Sequence, residues 1–132
     1  MPIIAVTRLH LRSPRYVTAF LWTTFFKVQR AARRSHGCLA VRLRRSTGLA
    51  FWTLTSWRDT PAMHSFTMTS PHREAMEKLG HWCDEATFAH WEVSTSEVPS
   101  WDVASQQLRA HGQLGKLRHP SPQHKAGEIV IS

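Results

Sequence analysis

The chain has 132 residues, 42% of them hydrophobic, and a formal net charge of +8. That length holds one domain with a core, and that composition excludes wholesale disorder. The two cysteines, Cys38 and Cys83, have no CxxC spacing; this excludes a disulfide-built scaffold and reads as reduced thiols.

Met1-Pro2 leads directly into Ile3-Ile4-Ala5-Val6 with no export-signal pattern, and the longest uncharged apolar run, Tyr16 to Phe26, falls short of the ~20 residues of a membrane span. The expectation is a cytoplasmic protein. Ile3 to Leu11 is rich in branched residues and partly alternating, which predicts a strand. Ser13-Pro14 has the form of an N-cap followed by proline at the first helical position, and a helix is expected to about Arg34. Its apolar stripe is Val17, Phe20, Leu21, Thr24, Val28, Ala31 and Ala32. Lys27, Arg30, Arg33 and Arg34 gather at its C-terminal end, where cations complement the helix dipole. Gly37 reads as the stop.

Cys38 to Arg45 is expected as a second strand, with Leu39, Val41 and Leu43 on one face. Ser46-Thr47-Gly48 makes a hairpin turn to a third strand, Leu49 to Trp57, which is apolar enough on both faces to be central. Asp59-Thr60-Pro61 opens a helix, and Ser70-Pro71 restarts it, with His72, Met76, Leu79 and Cys83 along one stripe of the second piece. Ala86 to Ser94 is the fourth strand, with Phe88 and His90 on one face and Ala89, Trp91 and Val93 on the other.

The order β-α-β-β-α-β predicts a ferredoxin-like α+β domain over residues 1–98, an antiparallel sheet with both helices on one face. Ala40, Phe51, Trp57 and Trp91 are expected on the helix-free face. An exposed apolar face calls for a partner, and a second copy, giving a homodimer, is the simplest one. Residues 99–132 read as a C-terminal helix, Trp101 to Leu108, and an extended arm, in which Glu128-Ile129-Val130-Ile131 is apolar enough to dock as an edge strand or else is a free tail.

The stretch Phe51-Trp52-Thr53-Leu54-Thr55-Ser56-Trp57-Arg58-Asp59, followed by Ala62-Met63 and Phe66, and the stretch Ser70-Pro71-His72-Arg73-Glu74-Ala75-Met76 carry a family resemblance. From Ile3 to Val93 the chain resembles the dimeric α+β barrel superfamily, in particular its antibiotic-biosynthesis-monooxygenase-like and spheroidene-monooxygenase-like members. The resemblance implies a pocket between helices and sheet. Some relatives oxidise polycyclic aromatics without metal or flavin; others bind or degrade haem through a histidine of the second helix. In haem-degrading relatives that histidine lies near the position of Met76, and an asparagine on a strand belongs to their catalytic set. This chain has no asparagine, which disfavours that reaction. The expected function is therefore monooxygenase-like binding, and oxidation, of a hydrophobic aromatic or polyene molecule. The alternative is a non-catalytic ligand-binding or assembly domain.

His72 is the candidate catalytic base, or the axial ligand if haem is bound. Trp22, Phe25 and Phe26 on the first helix, Trp52 on the third strand, Met76 and His90 are candidate walls of a ligand pocket; each ring taken singly reads first as core packing, and it is the group that leaves room for a cavity. His81 is a weaker option. Arg42, Arg44 and Arg45 could hold a carboxylate or propionate, or simply face solvent. The nine histidines form no zinc-type spacing, so no metal set is expected, and no glycine-rich nucleotide loop supports NAD, flavin or ATP. The first 58 residues carry eleven Lys and Arg and no acid. Without a nucleic-acid-binding motif this reads as a solvated face rather than an RNA or DNA surface.

Overall fold

The computed structural model describes residues 1–95 and 97–132, except for the side chain of Phe25. Five strands, β1 (Ile3–Leu11), β2 (Cys38–Arg45), β3 (Ala50–Trp57), β4 (Cys83–Glu92) and β5 (Gln113–Leu114), form one sheet in the order β2-β3-β1-β4-β5. All its pairings are antiparallel. β1 to β4 have the ferredoxin-like order expected from the sequence, and β5 extends it at the β4 edge. β1 and β3 lie inside the sheet, and both are buried on both faces, which is why their sequences do not alternate cleanly between apolar and polar.

The register sorts the side chains. Ile3, Leu9 and Leu11 of β1, with Phe51, Trp57 and Ala86 opposite or beside them, pack under the helices. Ile4 and Val6, with Trp52, Leu54 and Ala89, point the other way. Phe51 and Trp57 therefore sit on the helical side, not on the helix-free side where the sequence reading put them. Both faces of β3 are apolar, so alternation alone does not say which one meets the helices. Leu39 also departs from expectation. The β2–β3 register shifts between Cys38 and Ala40, and the bulge leaves Leu39 46% exposed.

The first helical stretch is continuous but not uniform. A 3-10 turn, Pro14–Tyr16, follows the Ser13 cap; then come α1 (Val17–Phe20), a π-helical segment (Leu21–Val28) and α2 (Gln29–Arg34). Gly37, at φ +86°, turns the chain back into β2, and a Cβ there would stand 2.5 Å from that of Ala62. α3 (Thr60–Thr67) is capped by Asp59, whose Oδ1 accepts from the Ala62 amide at 2.9 Å. α4 (Ser70–Trp82) restarts after Thr69, and β4 begins at Cys83, three residues earlier than expected.

The helix-free face is covered by the chain itself. α5 (Trp101–His111) lays Ala104 and Leu108 on Ile4, Val6, Trp52 and Leu54, and Ile129 and Ile131 join the same cluster. Leu108, Ile4, Val6 and Trp52 are all 0% exposed, and each large apolar side chain buried there contributes roughly 1.5–3 kcal/mol. The arm after α5 is folded: β5 pairs with β4, and a short α6 (Pro122–Lys125) follows. Residues 128–131 dock without forming the edge strand suggested by their sequence. The buried Arg8 guanidinium bonds Glu85 at 2.9 Å and the Ser132 backbone oxygen at 2.9 Å, and Ser121 donates to Glu85 at 3.0 Å, which ties the arm down. An uncovered sheet face was the reason to expect a second copy; pairing through this face would have to displace α5.

Candidate functional site

A partly enclosed cavity of about 400 Å³ lies between the helical layer and the sheet. Its floor is the helix-facing side of the strands: Thr7 from β1, Thr53, Thr55 and Trp57 from β3, and Phe88 and His90 from β4. Thr24, Val28 and Gln29 come from the first helical stretch, Phe66 from α3, and His72, Ala75, Met76 and Leu79 from α4. Gly115, Lys116 and Leu117, just after β5, complete the lining. That segment is held by the Gly115 amide on the Ala86 carbonyl at 2.8 Å and the Arg118 amide on the Gly80 carbonyl at 2.9 Å.

One wall is aromatic. Trp57 stacks on Phe66 at 5.2 Å between centroids, and the His72 ring meets Phe66 edge-on at 5.3 Å. The Trp57 indole N–H is spent on Thr55 Oγ1 at 2.9 Å. Burial pushes the His72 pKa below the ordinary histidine value, partly opposed by a backbone hydrogen bond to Thr67. His72 therefore stands on this wall as neutral imidazole near pH 7 and can accept a proton.

The lining from the first helical stretch is polar at one place. Thr24 and Gln29 are 5% and 4% exposed, and Thr24 Oγ1 and Gln29 Oε1 are buried without a hydrogen-bond partner. Buried polar groups are almost always paired; of the five orphaned side-chain atoms among the described residues, these two line the cavity.

Of the sequence candidates, His72, Met76 and His90 meet at the cavity, with Met76 half exposed and His90 at the exposed rim. The others do not. Trp22 and Phe26 are 63% and 65% exposed, and their rings lie against each other on the outer side of the helix at 5.8 Å. Trp52 is on the opposite sheet face, edge-on to Trp101 at 6.3 Å, with its indole N–H on Ser46 Oγ at 3.0 Å. Phe25 falls outside the described side chains. His81 sits away from the cavity, against Tyr16 and Arg12. The sequence reading missed Gln29 and the threonines. Thr24 was in the helical stripe and Thr53 and Thr55 shared a strand face, but a threonine on an apolar face resembles core.

The donor set does not fit a haem. His72 offers an imidazole, but the arginines that would hold propionates stand elsewhere. Arg44 lies over the rings of Trp52 and Trp101 at 5.0 and 4.9 Å, Arg45 donates to the Gly48 carbonyl at 2.7 Å, and Arg42 donates to the Val41 carbonyl at 3.3 Å. The cavity instead offers hydroxyls and an amide. Among the described residues, His10, Asp84 and Glu85 lie close enough to share an ion. They already satisfy one another and their neighbours: His10 bonds Asp84 at 2.6 Å, and Glu85 takes Arg8 and Ser121. Among the described residues no helix is long and apolar enough to cross a membrane.

Solved structures share this architecture. Rv0793 from Mycobacterium tuberculosis superposes with a TM-score of 0.64 at 14% identity, over 72% of this chain and 97% of its own. An antibiotic biosynthesis monooxygenase gives 0.61 at 14%, over 70% and 99%. SnoaB, a cofactor-independent oxygenase from Streptomyces nogalater, gives 0.61 at 13%, over 75% and 98%. The antibiotic-biosynthesis-monooxygenase-like fold implied by the sequence resemblance is thus the fold of this chain. No curated protein matches it. Residues 17–120 match the family model described as a domain of unknown function, DUF3291, and the chain belongs to that family.

Proposed function

We propose that this protein binds one hydrophobic, aromatic or polyene small molecule in the cavity between helices and sheet, and acts on it as a monooxygenase. The observation that carries the binding is the cavity itself: about 400 Å³ walled by Trp57, Phe66 and Phe88, within the range of small-molecule sites. The reaction rests on His72. A phenol-type ligand reacts with dioxygen through its anion, which forms on loss of a proton, and the neutral imidazole of His72 on the cavity wall is a base for that step. Dioxygen is the oxidant: one of its atoms replaces the two hydrogens of an activated CH₂ as a keto oxygen, and the other leaves with those hydrogens as water. The fold of SnoaB and of the antibiotic biosynthesis monooxygenase supports this reading by analogy.

The test is to incubate the protein with a polycyclic phenol carrying such a CH₂ group, following thermal shift and oxygen uptake together. A thermal shift with oxygen uptake, and loss of the uptake alone in His72→Ala, is the expected result. A thermal shift without uptake turns the reading to a non-catalytic binding domain, and uptake unchanged in His72→Ala removes His72 from the reaction.

A further inference from the structure

The first helical stretch changes its winding where it passes over the cavity. In an α-helix, at 3.6 residues per turn, residues five apart point about 140° away from each other. Between Thr24 and Gln29 the winding is π: the Gln29 amide donates to the Thr24 carbonyl, the i to i+5 bond that defines it. That turn brings residues five apart back toward one face, and Thr24 and Gln29 both line the cavity. They are also the two lining residues with orphaned polar atoms, Oγ1 and Oε1, while Val28 beside them is apolar. A plain core position would hold leucine or valine here. A side-chain amide buried with its oxygen unpaired loses the hydration of that oxygen without replacing it, so a stability argument gives no reason for Gln29.

We infer that Gln29 and Thr24 are the polar anchor of the cavity, selecting an apolar ligand that carries one neutral hydroxyl or keto group at the end lying against the π turn. An amide is matched to both groups. Turned by half a revolution about its last torsion, it presents oxygen to a hydroxyl or nitrogen to a carbonyl, with nearly unchanged shape. The Thr24 hydroxyl has the same double capacity. Neither matches a carboxylate or phosphate as a cation would. Lys116, the one Lys or Arg on the described lining, is exposed. This inference rests on the cavity being a ligand site, and it adds which ligands enter and which residues choose them.

The test uses a probe pair of equal shape, 2-naphthol and naphthalene, titrated by calorimetry into the full chain and into Gln29→Leu and Thr24→Val. The readout is the ratio of the two dissociation constants, compared between the full chain and each variant, so that the different hydrophobicity of the probes cancels. Gln29→Leu is expected to lower the preference for the naphthol about five- to tenfold, the weight of one hydrogen bond, while naphthalene binding is retained. Thr24→Val is expected to give a smaller loss. The melting temperature of Gln29→Leu is expected to stay equal or to rise, because an orphan is removed. An unchanged ratio in both variants overturns the anchor while leaving the cavity a ligand site. Failure of both probes to bind the full chain overturns the ligand site and the anchor with it. Should Gln29→Leu misfold, Thr24→Val decides by the same ratio.

Discussion

His72 shows how one residue couples stability to the site. Its pKa is held below the usual histidine value by burial, so the unfolded chain takes up a proton near pH 6.5 that the folded chain still refuses. The unfolded state then binds more protons, and the stability linked to His72 is present above about pH 6.5 and is lost as pH falls from there toward the folded pKa. Melting temperature followed from pH 7.5 to 5 is expected to fall less steeply in His72→Phe than in the native chain; equal slopes would mean His72 is not the group responsible. Which residues reach the cavity was only partly legible in the sequence. His72, Met76 and His90 could be read from helical and strand spacing because each lies on a face whose neighbours are unambiguous. Trp52 could not, because Trp52 and Trp57 sit on opposite faces of a strand buried on both. Gln29 was hidden for another reason: at α-helical spacing it lies off the apolar stripe, and it is the π winding that places it at the cavity.

At the scale of elements, caps and breakers were the readable signals. Ser13-Pro14, Asp59-Thr60-Pro61 and Ser70-Pro71 each start a helical piece where the sequence puts one, because side-chain caps and proline act locally. The β2 bulge at Leu39, the π segment and the docking of α5 are not local: each is settled by what the element packs against. α5 allows the most direct check. Leu108 is 0% exposed between α5 and the sheet, and Leu108→Ala is expected to cost about 2–5 kcal/mol in chemical denaturation. A loss below ~1 kcal/mol would mean that α5 does not rest on that face.

At the scale of the whole molecule, the two sheet faces have separate tasks. One is closed by α5 and the C-terminal arm into a packed apolar core. The other, under the broken helical layer, keeps the open space, the aromatic wall and the polar turn. The fold class was legible because the β-α-β-β-α-β order admits few topologies. The covering of the second face was not, because residues 112–127 have the composition of a loop and give no pattern for a docked arm. The two-sided division is also what makes the central claim, that an apolar ligand enters between helices and sheet, open to one decisive measurement. In a methyl-labelled sample titrated with 2-naphthol and followed by NMR, saturable shifts are expected at Ala32, Ala75 and Met76, which line the cavity, and none at Ala104 or Leu108 on the far side of the sheet. Saturable shifts centred on Ala104 and Leu108, or no saturable shift at Ala32, Ala75 and Met76, would contradict the account.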